Sequence, residues 1–231
     1  METRPEIGNH IPTTELPAVG IDLTGSASKA SGWAAIGNLA VSTRRIFTDA
    51  ELIAETIKVN PGVIVLDSPL SLPAGRISVY DDDPGRQRYG ITRACEREML
   101  KRGIRSYPPL IRSMQKLTLR GISLADTFRT LGYQVIESFP GGIQDILGLP
   151  RKQKNLNSFI TGLAEFGLTG QFSKTRISHD EIDAICAAVG GLFFLADEYE
   201  TVGDPYEGLI ILPKIEYTQR HSETAEYKSS I

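Results

Sequence analysis

The chain has 231 residues, 41% of them apolar and 23% charged, with a net charge of −3 and a pI near 5.7. That length supports one substantial core and points to a single domain. Two cysteines, Cys95 and Cys186, lie far apart without CxxC or histidine-rich spacing, which argues against a disulfide framework or zinc site. Both read as buried filler, and a reducing cytosol is the default compartment. Residues 1–15 are polar, contain Pro5 and Pro12 and hold no apolar run, so no secretory leader is expected. The longest apolar run, residues 184–196, falls short of the ~20 residues that cross a bilayer. A cytoplasmic protein without membrane association is expected.

In chain order, residues 1–16 read as a flexible tail before a folded domain spanning 17–214, and 215–231 as a polar tail. Residues 18–23 form the first apolar strand, followed by the small-residue turn 24–28. A second apolar stretch covers 32–41 and a third 43–47, spacing that suggests an antiparallel meander. Residues 49–59 read as a helix, with Asp49 as its cap and Leu52, Ile53, Thr56 and Ile57 at helical spacing. Pro61-Gly62 ends it, and 63–67 is a continuous apolar run of the kind buried on both faces of a sheet.

Helices are expected over about 93–102, 109–120 and 124–131, then a strand over 133–138 and a helix over 154–166. Ser178-His179-Asp180-Glu181 is a capping box, and Ile182, Ile185, Cys186, Val189, Leu192 and Phe193 form the stripe of the helix it starts. The fold class is therefore α/β: a mixed five-stranded sheet flanked by helices and opened by a β-meander, the ribonuclease H-like arrangement.

Charge is unevenly distributed. Residues 86–120 hold ten Lys or Arg against two acids, a surplus of eight that leaves −11 for the rest of the chain. A basic groove beside an acidic centre would produce such asymmetry, and so would a solvated helical face. With aromatic content at 7% and a single Trp, Trp33, no stacking platform for single-stranded nucleic acid is evident.

The acidic centre can be named. Asp22 lies near the end of the first strand, Asp67 ends the buried one and Glu137 ends the later one; ligands collect at the carboxyl ends of strands in open α/β sheets. Asp180 and Asp183 share one face of the last helix. Carboxylates gathered together repel unless a cation neutralises them, and an oxygen-only set points to Mg²⁺ or Mn²⁺. Asp22, Asp67 and Asp183 are the expected metal ligands, with Asp180 or Glu137 completing the shell or orienting water. Arg93, one helical turn from Arg97, and the Arg151-Lys152 pair are the expected phosphate binders. Duller readings stand beside them: Asp22 and Asp67 suit turns, Asp180 suits a helix start, Glu137 precedes a turn, Arg97 suits surface salt bridges with Glu96 and Glu98, and His179 is expected to be exposed.

Motifs in series carry a resemblance. Residues 20–26 (GIDLTGS) with Gly32-Trp33, then 67–72 (DSPLSL), 93–96 (RACE), 135–141 (VIESFPG), 149–152 (LPRK), 179–184 (HDEIDA), 203–205 (GDP) and 208–210 (GLI) resemble the domain-of-unknown-function family 429. That family is regarded as predicted nucleases of ribonuclease H-like fold, which implies metal-dependent cleavage of nucleic acid. The acids at 22, 67, 180 and 183 also look like the pattern of Holliday-junction resolvases. Ribonuclease H proper instead uses a Glu on its first helix, where Glu51 or Glu55 could serve.

The expected activity is divalent-metal-dependent phosphodiester hydrolysis of DNA or RNA by a chain that could form a homo-oligomer. Two rivals stand beside it. One is nucleotide binding or phosphoryl transfer at the Gly25 loop, where Asp22-Leu23-Thr24-Gly25 resembles the first phosphate loop of actin-like kinases. The other is a binding or scaffold protein with a residual site.

Overall fold

A computed structural model describes residues 10–26, 29–149, 156–173 and 177–214. Its strands are β1 (Ala18–Asp22), β2 (Ser31–Gly37), β3 (Ala40–Ile46), β4 (Val63–Asp67), β5 (Val135–Ser138), β6 (Thr169–Gly170), β7 (Tyr199–Asp204) and β8 (Gly208–Pro213). Its helices are α1 (Asp49–Val59), α2 (Arg86–Tyr89), α3 (Ala94–Lys101), α4 (Arg112–Thr130), α5 (Pro140–Ile146), α6 (Leu156–Glu165) and α7 (His179–Leu195).

The strands form one sheet in the order β6-β3-β2-β1-β4-β5-β8-β7. β1, β2 and β3 are antiparallel neighbours, whereas β1, β4, β5 and β8 run parallel. A meander continued by parallel strands and flanked by helices is the ribonuclease H-like α/β arrangement expected from the sequence. The sheet has eight strands rather than five. The additions are the two-residue β6 and the β7–β8 hairpin, whose two-residue alternation is interrupted by Gly203, Asp204 and Pro205.

Local chemistry explains where other expectations shift. The apolar stretch 32–41 is a strand, a turn and the start of the next strand. Asn38 and Leu39 take positive φ of 49° and 60°, the twist a two-residue hairpin needs, although Leu is a poor marker for it. The two helices expected over 109–131 are one, α4, with Gly121 in its middle because a Cβ there would meet Ser68 Oγ at 1.7 Å. α1 is capped by Thr48, which accepts from the Glu51 N–H, rather than by Asp49. Residues 138–142, read as a turn, end β5 at Ser138 and start α5 with Pro140 in its first turn, where a missing N–H costs nothing. Residues 10–16 are not a loose tail: Ile11 is 2% exposed and belongs to the core.

Two apolar layers sandwich the sheet. On one face Leu52 of α1 and Leu124, Ala125 and Phe128 of α4 pack against Ile21, Ile64 and Leu66. On the other face lies α7, buried along most of its length, with α5 and α6 beside it. Its capping box is present as expected: Ser178 Oγ accepts from the Glu181 N–H, and the Ser178 N–H donates to Glu181 Oε2.

α7 approaches the sheet closely because glycines leave room. A Cβ on Gly20 would lie 2.1 Å from the Ala184 carbonyl oxygen, and one on Gly32 would lie 2.0 Å from that of Asp180. Both obstacles are helix backbone, which cannot swing aside. Gly20→Ala should therefore destabilise the fold by about 2 kcal/mol or more, as overpacking does. Gly37→Ala, whose Cβ would make ordinary contact with Pro17 at 3.5 Å, should stay within about 0.5 kcal/mol of wild type in urea unfolding.

Candidate metal centre

Side-chain alternation decides which acids meet. Successive side chains of a strand point to opposite faces. Gly20 faces α7, so Asp22, two residues on, faces the same way. Val65 also lies against α7, since a Cβ on Gly191 would be 2.8 Å from Val65 Cγ2. Asp67 shares that face. β1 and β4 run parallel with Asp22 directly opposite Asp67. α7 then delivers Asp183, the residue before the Ala184 that rests on Gly20. One carboxylate oxygen from each of Asp22, Asp67 and Asp183 lies within 4.8 Å of the others, and all three residues are half-buried.

This donor set fits a hard divalent cation. Two carboxylates 4–5 Å apart near a protein surface repel by about 3–4 kcal/mol, which a dication between them reverses. Oxygens bound to one Mg²⁺ are at most about 4.2 Å apart, so small side-chain rotations complete the approach. Asp183 is also oriented from behind: buried Gln144 of α5 donates from Nε2 to its Oδ1 at 3.2 Å and lies 3.7 Å from Cys186 Sγ. The sequence reading missed Gln144 because the start of α5 looks like a turn; an i, i+4 pattern of Pro140, Ile143, Gln144 and Leu147 is the signal that finds it.

Glu137 does not join the trio. In the parallel pairing of β4 with β5 it stands opposite Leu66, not Asp67, and so points to the other face. There it accepts from the Leu70 N–H at 2.8 Å and binds both terminal nitrogens of Arg93. Arg93 is 0% exposed and is shared with Glu96, while its Nη1 also donates to Ser71 Oγ at 2.8 Å. It is a buried strut, not the surface phosphate binder expected from its spacing with Arg97. Burial alone would lower the guanidinium pKa, but the charges and hydrogen bonds of Glu137 and Glu96 outweigh it and hold it above the usual arginine range. Burial holds the Glu137 carboxyl above the usual carboxylate range against the pull of Arg93.

The same network shapes the chain after Asp67. Glu207, from the β7–β8 turn, accepts from the Ala74 N–H at 2.9 Å and from the Ala94 N–H at the start of α3. Arg76 and Asp83, a buried pair, close the intervening loop; Asp83 accepts from the N–H groups of Ile77, Ser78 and Gly85. Together these contacts leave a pocket of about 220 Å³ at the carboxyl ends of the strands, with Asp22 and Asp67 in its wall and Arg93, Glu96 and Glu137 lining it too.

Other expected site residues stay apart. Asp180 is half-buried in the first turn of α7, outside the trio, where the helix dipole favours a carboxylate. His179 is exposed. Glu55 pairs with Arg44 and Lys58, and Glu51 is exposed on the first turn of α1. Arg151 and Lys152 lie outside the described residues.

The basic surplus of residues 86–120 is largely matched by carboxylates from elsewhere. Arg86 and Arg112 pair with Asp81, Arg97 with Glu207, Arg102 with Glu200 and Arg120 with Asp49. Arg88, Lys101, Arg105 and Lys116 have no carboxylate partner among the described residues. The Gly25 loop is pinned rather than open: the Thr24 N–H donates to Ser31 Oγ, and Arg120 donates to the Thr24 carbonyl.

No family model and no curated protein matches the chain. Among solved structures it is similar to Thermus thermophilus RuvC, with 10% identity over 79% of this chain and 97% of that one and a TM-score of 0.43. Among the described residues, no helix is long and apolar enough to cross a membrane.

Removing the buried cation tests the strut. Arg93→Met leaves Glu96 and Glu137 buried without their counter-charge and should cost about 3–5 kcal/mol in denaturant unfolding. A cost near zero would show that the cluster is solvated instead.

Proposed function

We propose that the protein is a divalent-metal-dependent phosphodiesterase acting on nucleic acid, in line with its resemblance to family 429. The observation that carries this reading is the convergence of Asp22, Asp67 and Asp183 at one end of the sheet. These three carboxylates would hold Mg²⁺ or Mn²⁺. When bound, such an ion supplies a polarised phosphoryl oxygen and a water of lowered pKa.

The chain's own residues do the rest. Parallel strands hold Asp22 and Asp67 in fixed register, so neither must be ordered when a ligand arrives. Gln144 fixes the Asp183 carboxylate from within the core. The pocket beside them gives a substrate sheltered ground next to the reacting phosphate. Arg105 and Lys116 replace Arg93 as the phosphate-contacting cations of this reading, being exposed and without carboxylate partners among the described residues.

A labelled panel of single-stranded, duplex, hybrid and branched DNA and RNA, incubated with Mg²⁺ or Mn²⁺ at low salt, tests the activity. Wild type should cut at least one member, and Asp22→Asn should lose about a hundredfold or more. Mn²⁺ should also raise the melting temperature of wild type but not of Asp22→Asn, whose own melting temperature without metal should equal or exceed that of wild type. A folded wild type that neither cuts nor shifts would overturn the reading.

Gln144→Leu is close in size and removes the hydrogen bond to Asp183 together with the weak one to Cys186 Sγ. It should weaken Mn²⁺ binding by about 10–100-fold, as loss of a partner to a metal ligand does, without changing the far-ultraviolet circular dichroism. Unchanged affinity in calorimetry would remove Gln144 from the centre.

A further inference from the structure

The pocket next to the metal centre has a character that phosphodiester cleavage does not require. Besides Asp22 and Asp67, its wall includes Met114 and Leu117 of α4, Phe139 before α5, and Tyr107. Tyr107 is 72% exposed, so it borders the pocket without being part of the core and its ring is open to a ligand. Beside it, Ser106 also lines the pocket; its Oγ is buried and makes no hydrogen bond among the described residues. Rotation about the Ser106 Cα–Cβ bond would turn this hydroxyl toward the pocket, where a ligand donor or acceptor would supply the partner it lacks.

An apolar slot with an accessible aromatic face and one unmet polar group is what a flat heteroaromatic ring fits. Asp22 and Asp67 line the same pocket, so a ring held there would lie beside the ions they would hold. On the far side of Ser106 and Leu117 in sequence stand Arg105 and Lys116, both exposed and without carboxylate partners among the described residues.

We propose that this pocket receives one unstacked nucleobase of a single-stranded segment, stacked on Tyr107 and hydrogen-bonded to Ser106, so that the adjoining phosphate lies at the Asp22–Asp67–Asp183 centre. The inference rests on the nuclease reading and adds its substrate class. A paired base inside a duplex has both faces covered by its neighbours and cannot enter a cavity of about 220 Å³, whereas an unpaired one offers a free face at little cost. The low aromatic content gave no hint of a platform. One exposed ring at the right place is enough for a single base.

The test uses a short fluorescein-labelled single strand, a blunt duplex of the same sequence and the mononucleotide AMP, each titrated with the full chain in Ca²⁺. Wild type should bind the single strand more tightly than the duplex. Tyr107→Ala should weaken the single strand about tenfold, the effect of losing one base–aromatic stack, and leave the duplex unchanged. Tyr107→Phe, which keeps the ring, should bind as wild type does.

Equal losses on both nucleic acids, or none on either, would overturn the base-pocket inference. So would AMP binding as tightly as the strand with the same dependence on Tyr107, since the occupant would then be a free nucleotide. Mn²⁺ calorimetry on the same proteins separates this inference from its premise. If Mn²⁺ binds wild type and Tyr107→Ala but not Asp22→Asn, and strand preference is absent, the base pocket alone fails. If wild type binds no Mn²⁺, the metal centre itself fails.

Discussion

Everything at the candidate centre depends on how closely α7 lies on β1 and β2. Gly20 and Gly32 on the strands have no side chain where the helix backbone passes, and Gly191 on the helix leaves space for Val65, Ala18 and Val63. Contact at backbone distance allows a carboxylate as short as Asp to bridge from helix to strand end. With ordinary side chains between them, helix and sheet would stand about 10 Å apart, and Asp183 could not share a ligand with Asp22. The small residues Ala184, Ala187 and Ala188 serve the same approach from the helix side.

A second constraint lies on the opposite side of the sheet end. Arg93, Glu96 and Glu137 form a buried cluster to which the Leu70 N–H, the Ser71 hydroxyl and, through Glu207, the β7–β8 turn are tied. Desolvating such ions is costly, and a buried ion pair is weak evidence for net stability. Its effect here is geometric. The segment after Asp67 leaves the strand through Ser68-Pro69 with little secondary structure of its own, and the cluster gives it one path. That path, with α4, makes the pocket.

The fold class was legible in the residues because period-two and period-3.6 patterns are local. The apolar strand ending at Asp67 and the capped helix from Ser178 emerge where the sequence places them, and the opening meander does so with its second turn moved to Asn38-Leu39. The errors share a physical cause. α5 was hidden by Pro140, Gly141 and Gly142, which favour a turn in isolation but start a helix once Ile143 and Leu147 are buried. β7 and β8 were hidden because β8 pairs with β5, distant in sequence, and because Gly203, Asp204 and Pro205 interrupt the alternation of the hairpin the two strands form.

For the centre, residue type and position named Asp22, Asp67 and Asp183, because two carboxylates closing apolar strands recur with one past a helix's first turn, where capping does not account for it. Glu137 and Arg93 met similar local criteria and belong elsewhere. A one-residue offset in the register of β5 against β4 turns Glu137 to the other face, and a sequence contains no register. Arg93 follows Glu137 into the core because a buried carboxylate needs a cation within reach. The sequence by itself determined the layers, the carboxylates available and the capped helix that carries one of them. Only the tertiary structure decided which acids meet, since that rests on strand parity and helix–sheet distance, both set by residues far apart in the chain.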